Sequence, residues 1–297
     1  MESLTVIMTV RNGMPYLEEA VNSIFAQTLR DFTFLIVNNA SEDGTRAFLE
    51  QTASRAHSKR LLLRVEHLPV NAGRTGALNL ALGLVETKLT AVMDADDLSA
   101  RNRLERQTEF LRLHPEVVLL GSDVDYIDAQ GRVVREERFP TTHESLRDHF
   151  PLYNPFAHSA CMYRTGAARA AGGYDSSFVY AQDMALWIAM LRGGGQAASL
   201  GEKLALIRKH GGQATQNAGM AGERAVDNLR LCEAMLGLPG LGGSARQAAL
   251  LRFACARYVL GEKKSALTQA LAAVAEAPLH FFLNPLLWRR LVHSLRR

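Results

Sequence analysis

The chain has 297 residues, of which 47% are hydrophobic and 22% charged, enough for one large α/β domain with an appendage and unlike a disordered composition. The formal net charge is +4, and Arg289, Arg290, Arg296 and Arg297 account for all of it, because no Asp, Glu or Lys follows Glu276. A basic footprint spread over the fold is therefore excluded, and with it a general nucleic-acid-binding role.

In chain order, Leu4–Val10 reads as an apolar strand with no basic region or cleavage site before it, so no signal peptide is expected. Phe32–Val37, Leu61–Leu68, Leu89–Met93 and Val117–Val124 follow as strands rich in Val, Leu, Ile and Phe. Between them, Tyr16–Gln27, Gly44–Arg55, Arg74–Val85 and Arg101–His114 carry amphipathic helical spacing. This alternation predicts an α/β fold: a doubly wound, mixed, mostly parallel sheet, with ligands at strand C-terminal ends.

After Val124 the pattern changes. Asp128-Ala129-Gln130-Gly131 predicts a hairpin turn between Tyr126-Ile127 and Val133-Val134. Gly211–Gly222 is Gly-, Ala- and Gln-rich and predicts a mobile loop, with a domain boundary near residue 215. Beyond it only helical patterns occur: Glu223–Leu236, Ser244–Leu260, Lys263–Ala275 and Pro285–Leu295. The expected division is an α/β domain over 1–215 and a helical region over 216–297. Cys161, Cys232 and Cys255 form no CxxC spacing, which predicts free thiols rather than a disulfide framework or zinc site. No run approaches the ~18 apolar residues of a membrane span.

The strand Leu89–Met93 ends in Asp94-Ala95-Asp96-Asp97. Three carboxylates within four residues repel one another unless a cation or a set of hydrogen-bond donors compensates. Oxygen ligands of this kind suit Mn²⁺ or Mg²⁺, bound through one or two carboxylates plus substrate phosphates. The plainer alternative is one helix cap with the other carboxylates in water.

Four ordered segments carry a resemblance. They are Val6–Gly13 with Tyr16–Thr28; Leu35–Thr45; Asn71-Ala72-Gly73-Arg74 through Asn79 and on to Met93–Asp97; and Gly172-Gly173-Tyr174-Asp175 with Gln182–Trp187. Together they make the chain resemble an inverting glycosyltransferase of family 2, with a GT-A-type fold. That resemblance implies a nucleotide-diphosphate sugar donor, UDP-sugar favoured, a saccharide or lipid-linked acceptor, and Mn²⁺ or Mg²⁺. Thr9, Val10 and Arg11 would cradle the nucleotide, Asn38 would read the base edge, and Arg74 would approach base or phosphates. Asp94 and Ala95 would lie at the nucleotide sugar, Asp96 would hold the metal with Asp94 near it, and His210 would join metal or diphosphate. Asp183 would be the general base, and a lid could follow His210.

The departures are Asn38 where the family commonly has Asp, Gln182 in place of Glu, and Ala185 in place of a frequent Asp. For Asp183 the plain alternative is a first-turn helix acid. Trp187, four residues on, is either an acceptor-sugar platform or core, and His158 either shapes the acceptor side or is packed. In the tail, Trp288, Leu291, Val292 and Leu295 share one helical face opposite the arginines. That fits a peripheral membrane helix or a helix packed on the domain, in a protein expected in the cytoplasm or at the inner membrane face. A sugar nucleotidyltransferase and a dinucleotide oxidoreductase are disfavoured, because Arg11-Asn12-Gly13-Met14-Pro15 is not glycine-rich and no GxGxxG follows the first strand. A non-catalytic nucleotide-sugar-binding or assembly protein with the same fold is the other alternative.

Overall fold

The computed structural model describes residues 3–58, 62–212 and 221–276. The first half alternates β1 (Leu4–Val10), α1 (Leu17–Phe25), β2 (Thr33–Asn39), α2 (Thr45–Ser58), β3 (Leu62–Leu68), α3 (Gly73–Leu84) and β4 (Leu89–Val92). There follow β5 (Leu98–Ser99), α4 (Arg103–Leu113), β6 (Val117–Ile127), β7 (Val133–Glu137), α5 (His143–His149), β8 (Met162–Arg164), α6 (Thr165–Ala170), α7 (Gln182–Arg192) and β9 (Gln196–Arg208). Helices α8 (Ala221–Leu236), α9 (Gly243–Val259) and α10 (Lys263–Glu276) close the described chain.

The strands join one sheet in the order β3-β2-β1-β4-β8-β6-β9-β5, with β7 paired to β6. The long ladders β1–β2, β2–β3 and β6–β9 are parallel, as is β1–β4; β4–β8, β6–β8, β5–β9 and β6–β7 are antiparallel. The result is the mixed, mostly parallel α/β sheet of the expectation. The order reverses at β1, where the chain turns from β3 back to β4. The C-terminal ends of β1 and β4 therefore flank a topological switch point, the crevice in which open α/β sheets bind ligands.

Both faces of β1 are buried because strand side chains alternate. Leu4, Val6, Met8 and Val10 pack with Leu17, Val21 and Ile24 of α1 and with Leu104 and Leu111 of α4. Ile7 faces the opposite core, with Ala77 and Ala81 of α3 and Leu186 and Trp187 of α7. Leu17, Ala20, Val21 and Ile24 form the single buried face of α1 at helical spacing.

Three differences from the sequence expectation follow from local chemistry. Strand β6 runs on past Val124 to Ile127, because Asp123 accepts the Phe139 N–H at 2.9 Å and Asp125 pairs with Lys203 at 3.0 Å. Strand β9 has no uniform apolar period: its register on β6 slips between Ser122 and Asp123, leaving Gly201 and Glu202 out of step, a bulge. Helix α8 is not separate from the catalytic fold, since its Leu231, Cys232 and Met235 lie in the same core as Trp187. The boundary near 215, most of the Gly211–Gly222 loop and the helix expected over Pro285–Leu295 fall outside the described residues. Among the described residues no helix is long and apolar enough to cross a membrane. Cys161, Cys232 and Cys255 are free thiols.

Candidate active site

The loop after β1 is stitched to the loop after β2, its parallel neighbour. Asn12 N–H donates to Ser41 Oγ at 2.9 Å, Gly13 N–H to Thr45 Oγ1 at 2.8 Å, and Met14 N–H to Asp43 Oδ2 at 3.1 Å. Thr9 is half-buried and Val10 buried, while Arg11 is exposed and pairs with Glu42 at 3.3 Å. Asn38 is only 2% exposed: its Oδ1 accepts the Ser41 N–H at 3.2 Å and its Nδ2 faces His67 Nδ1 at 3.0 Å. The amide expected to read the base braces the loop that borders the crevice.

The acidic segment leaves β4 with a separate set of partners for each carboxylate. Asp94 Oδ1 lies 3.0 Å from His158 Nδ1, and Asp94 Oδ2 3.3 Å from Arg74 Nη2. Burial raises the Asp94 pKa, but His158 and Arg74 outweigh it and hold the group well below the usual carboxylate range. Asp96 Oδ2 lies 3.0 Å from His210 Nε2. Asp97 is buried, accepting the Ser159 hydroxyl at 2.5 Å and the Arg208 N–H at 2.8 Å. Burial, reinforced by Asp96 and Asp94, pushes the Asp97 pKa up. The mutual repulsion of the three acids is thus met by a donor network, and neither a helix cap nor free solvation describes them.

His210 reaches this segment because β5, just past the acids, pairs with β9 through Leu98–Leu206 and Ser99–Ala205. Arg208, 1% exposed along its side chain, locks that junction. Its Nε donates to Asp96 O at 2.9 Å, its Nη2 to Glu19 at 2.6 Å, and its guanidinium stacks 4.6 Å from the Tyr16 ring. Tyr16 also packs 4.6 Å from the His210 ring. Asp97 was visible in the sequence only as a member of the acidic run, and Ser159, Arg208 and Tyr16 did not stand out as parts of the site. Arg208 and His210 stand two residues apart, which in an extended segment puts both side chains on one side; that spacing was the available signal for Arg208.

Asp183 sits in the first turn of α7, where its Oδ2 accepts the Asn154 Nδ2 proton at 2.9 Å. Arg74 connects this group with the acids of the β4 loop: Asp94 raises its pKa against the opposing pull of burial, and Asp183 and Asp96 add to the rise. With its side-chain amide turned, Gln182 accepts from Arg74 Nε at 3.1 Å. A glutamine thus holds the guanidinium without adding a further charge.

His158 is packed beside Asp94, with its Nε2 3.3 Å from the Tyr174 hydroxyl. Trp187 corrects the platform expectation. Its ring is fully buried (0% exposed), against Tyr163 at 5.5 Å and His158 at 6.2 Å, so no acceptor sugar can stack on it.

Among the described residues no three His, Cys, Asp or Glu side chains gather as a preformed metal cage. The Asp96–His210 pair is nevertheless a fit for Mn²⁺ or Mg²⁺, which commonly take one or two protein ligands and complete their shell with phosphate and water.

Comparison with known proteins agrees with this architecture. The profile described as "Glycosyl transferase family 2" matches residues 5–170. The chain is 30% identical over 193 residues to the amylovoran biosynthesis glycosyltransferase AmsE of Erwinia amylovora, covering 65% of this chain and 70% of that protein. It is 28% identical over 192 residues to the O-antigen biosynthesis glycosyltransferase WbnJ of Escherichia coli, covering 64% and 72%. Residues 1–349 of S. aureus TarS in complex with UDP-GlcNAc superpose with a TM-score of 0.68 at 18% identity, covering 92% of this chain and 80% of that one. The mannosyltransferase PcManGT of Pyrobaculum calidifontis, in complex with GDP-Man and Mn²⁺, gives 0.62 at 18% identity, covering 98% and 84%. The fold is GT-A-type, and the chain belongs to glycosyl transferase family 2.

Proposed function

We propose that this glycosyltransferase moves a sugar, with inversion, from a nucleotide-diphosphate sugar to an acceptor hydroxyl in cell-surface polysaccharide or glycolipid assembly. The observation that carries the reading is Arg74. Its Nη2 lies 3.3 Å from Asp94 Oδ2 and its Nε donates at 3.1 Å to the turned amide of Gln182, the residue before Asp183, so one guanidinium links the acidic segment to the first turn of α7.

The donor nucleotide lies over the loops after β1 and β2, bordered by Thr9, Val10, Arg11 and the Asn38-braced turn, with Asp94 and Ala95 beneath the sugar. Asp96 and His210 would hold the divalent cation, assisted by Asp94. When bound, that cation neutralises the charge developing on the departing diphosphate. Asp183 takes the proton of the attacking hydroxyl, and Asn154 orients its carboxylate by occupying Oδ2.

A uracil nucleotide is the first donor to test, since TarS is seen with UDP-GlcNAc; PcManGT with GDP-Man makes guanine the second. The names of AmsE and WbnJ support a polysaccharide acceptor. The C-terminal basic segment, outside the described residues, is proposed to meet an anionic membrane surface near a lipid-linked acceptor.

The test is nucleoside-diphosphate release from a panel of UDP-, GDP-, dTDP- and CDP-sugars with Mn²⁺, comparing wild type with Asp183→Asn. Donor binding should persist in the variant while turnover falls about 10²–10⁴-fold, the usual contribution of a positioned base. Equal turnover would remove Asp183 from the role. Binding without any release by the wild type would favour the non-catalytic alternative.

A further inference from the structure

Helix α7 carries the proposed base in its first turn, yet its N-terminus has no cap of its own: the residue before it is Ala181, with no side-chain hydrogen bond. The first backbone N–H groups of a helix need partners, and here the N–H groups leading into the turn find one on another element. Asp227 of α8, 3% exposed, accepts from Val179 N–H at 3.1 Å, Tyr180 N–H at 2.8 Å and Ala181 N–H at 3.2 Å, all through Oδ2. Three successive amides converge on one carboxylate oxygen. The contact is reinforced one helical turn away on each side. Arg224 places its guanidinium 5.1 Å from the Tyr180 ring, and Arg230 donates to Ser177 O. Residues 224, 227 and 230 lie three apart and so share one face of α8.

The segment so held, between Tyr174 and Gln182, contains no helix or strand, and Val179 is exposed within it. Its conformation is therefore set by what grips it rather than by its own ladder. We infer that Asp227 is a positioning residue for the reaction: an anchor supplied by α8 for residues 179–181, it fixes the entry of the chain into α7 and hence the placement of Asp183. This rests on the reading of Asp183 as the base. It also gives the C-terminal helices a part in catalysis, because α8 joins the base-bearing turn to the same core that buries Trp187.

The experiment compares wild type, Asp227→Asn, Arg230→Gln, Asp183→Asn and, as a control on the exposed face of α8, Glu233→Gln. Steady-state turnover of the best nucleotide sugar of the panel is read beside amide exchange followed by mass spectrometry. For Asp227→Asn, exchange over residues 179–186 should quicken about tenfold while peptides of β1–β4 stay unchanged. Its kcat should fall about ten- to a hundredfold, the cost of a misplaced reacting group, with donor KM held within about twofold. Arg230→Gln should shift both readouts the same way by less, and Glu233→Gln should shift neither.

The inference is overturned if Asp227→Asn keeps wild-type kcat, or if donor KM and the β1–β4 exchange change in step with kcat. The latter would mark a general loss of structure. Should Asp183→Asn turn over like wild type, the assignment of the base fails instead, whatever Asp227 does.

Discussion

At the residue scale, the acidic segment shows what a local pattern does and does not reveal. Asp94-Ala95-Asp96-Asp97 was visible because charge clustered after an apolar strand. The separate fates of its members were not, because their partners come from far along the chain: Arg74, His158, Ser159, Arg208 and His210. Trp187 was ambiguous for the opposite reason, since a tryptophan four residues from Asp183 sits on the same helical face whether it is platform or core. Burial decides for core.

Asp43 allows a test by pH. Burial raises its pKa, but bonds from the Thr45 side chain and from the Thr45 and Met14 N–H groups outweigh this and leave it below the ordinary 3.8. A depressed carboxylate contributes stability that is complete above its unfolded pKa and lost as pH falls through the folded value. Asp43→Asn should therefore lower stability by about 1 kcal/mol at neutral pH, as expected for lost hydrogen bonds. The gap from wild type should close as the pH drops below 3.8. Denaturant titrations across pH would show it; a gap independent of pH would contradict it.

At the element scale, β1 to β4 and the helices between them were legible because both sheet faces are buried and the strands are near-continuously apolar. The two-residue β5 and the three-residue β8 are too short to carry a period, and β9 conceals its own behind a bulge. These are the elements that bring His210 to Asp96 and His158 to Asp94, so half of the site depended on strands the sequence does not announce.

The junction between α3 and the turn before α7 is equally non-local. Asn79 mimics a strand partner, donating Nδ2–H to Tyr174 O at 2.7 Å and accepting Tyr174 N–H at 2.8 Å. Gly173 is left-handed at φ +74°, and a Cβ there would lie 2.8 Å from Asn79 Oδ1. Asn79→Ala strips both bonds from a partly buried turn and should cost about 1–3 kcal/mol, read as a lower denaturation midpoint at unchanged slope. An unchanged midpoint would show that the turn is held by other means.

At the scale of the whole molecule, one curved sheet reverses its strand order at β1, and α8 packs into the same core as α7, the helix that carries Asp183. The expectation of a helical appendage identified these helices but not their union with the catalytic core, because amphipathic spacing shows that a face is buried without showing against what. The proposed cation is the hinge of the account: Asp96 and His210, assisted by Asp94, would offer it protein ligands, and the diphosphate would supply the rest.

The most direct measurement is calorimetric titration of UDP and of GDP into wild type and Asp96→Ala, each with Mn²⁺ and again with EDTA. The account predicts that at least one nucleotide binds the wild type with Mn²⁺, and about tenfold or more weakly after chelation or in Asp96→Ala, a loss of about 1.4 kcal/mol or more. Binding of equal strength with and without the metal, or no binding of either nucleotide, would contradict it.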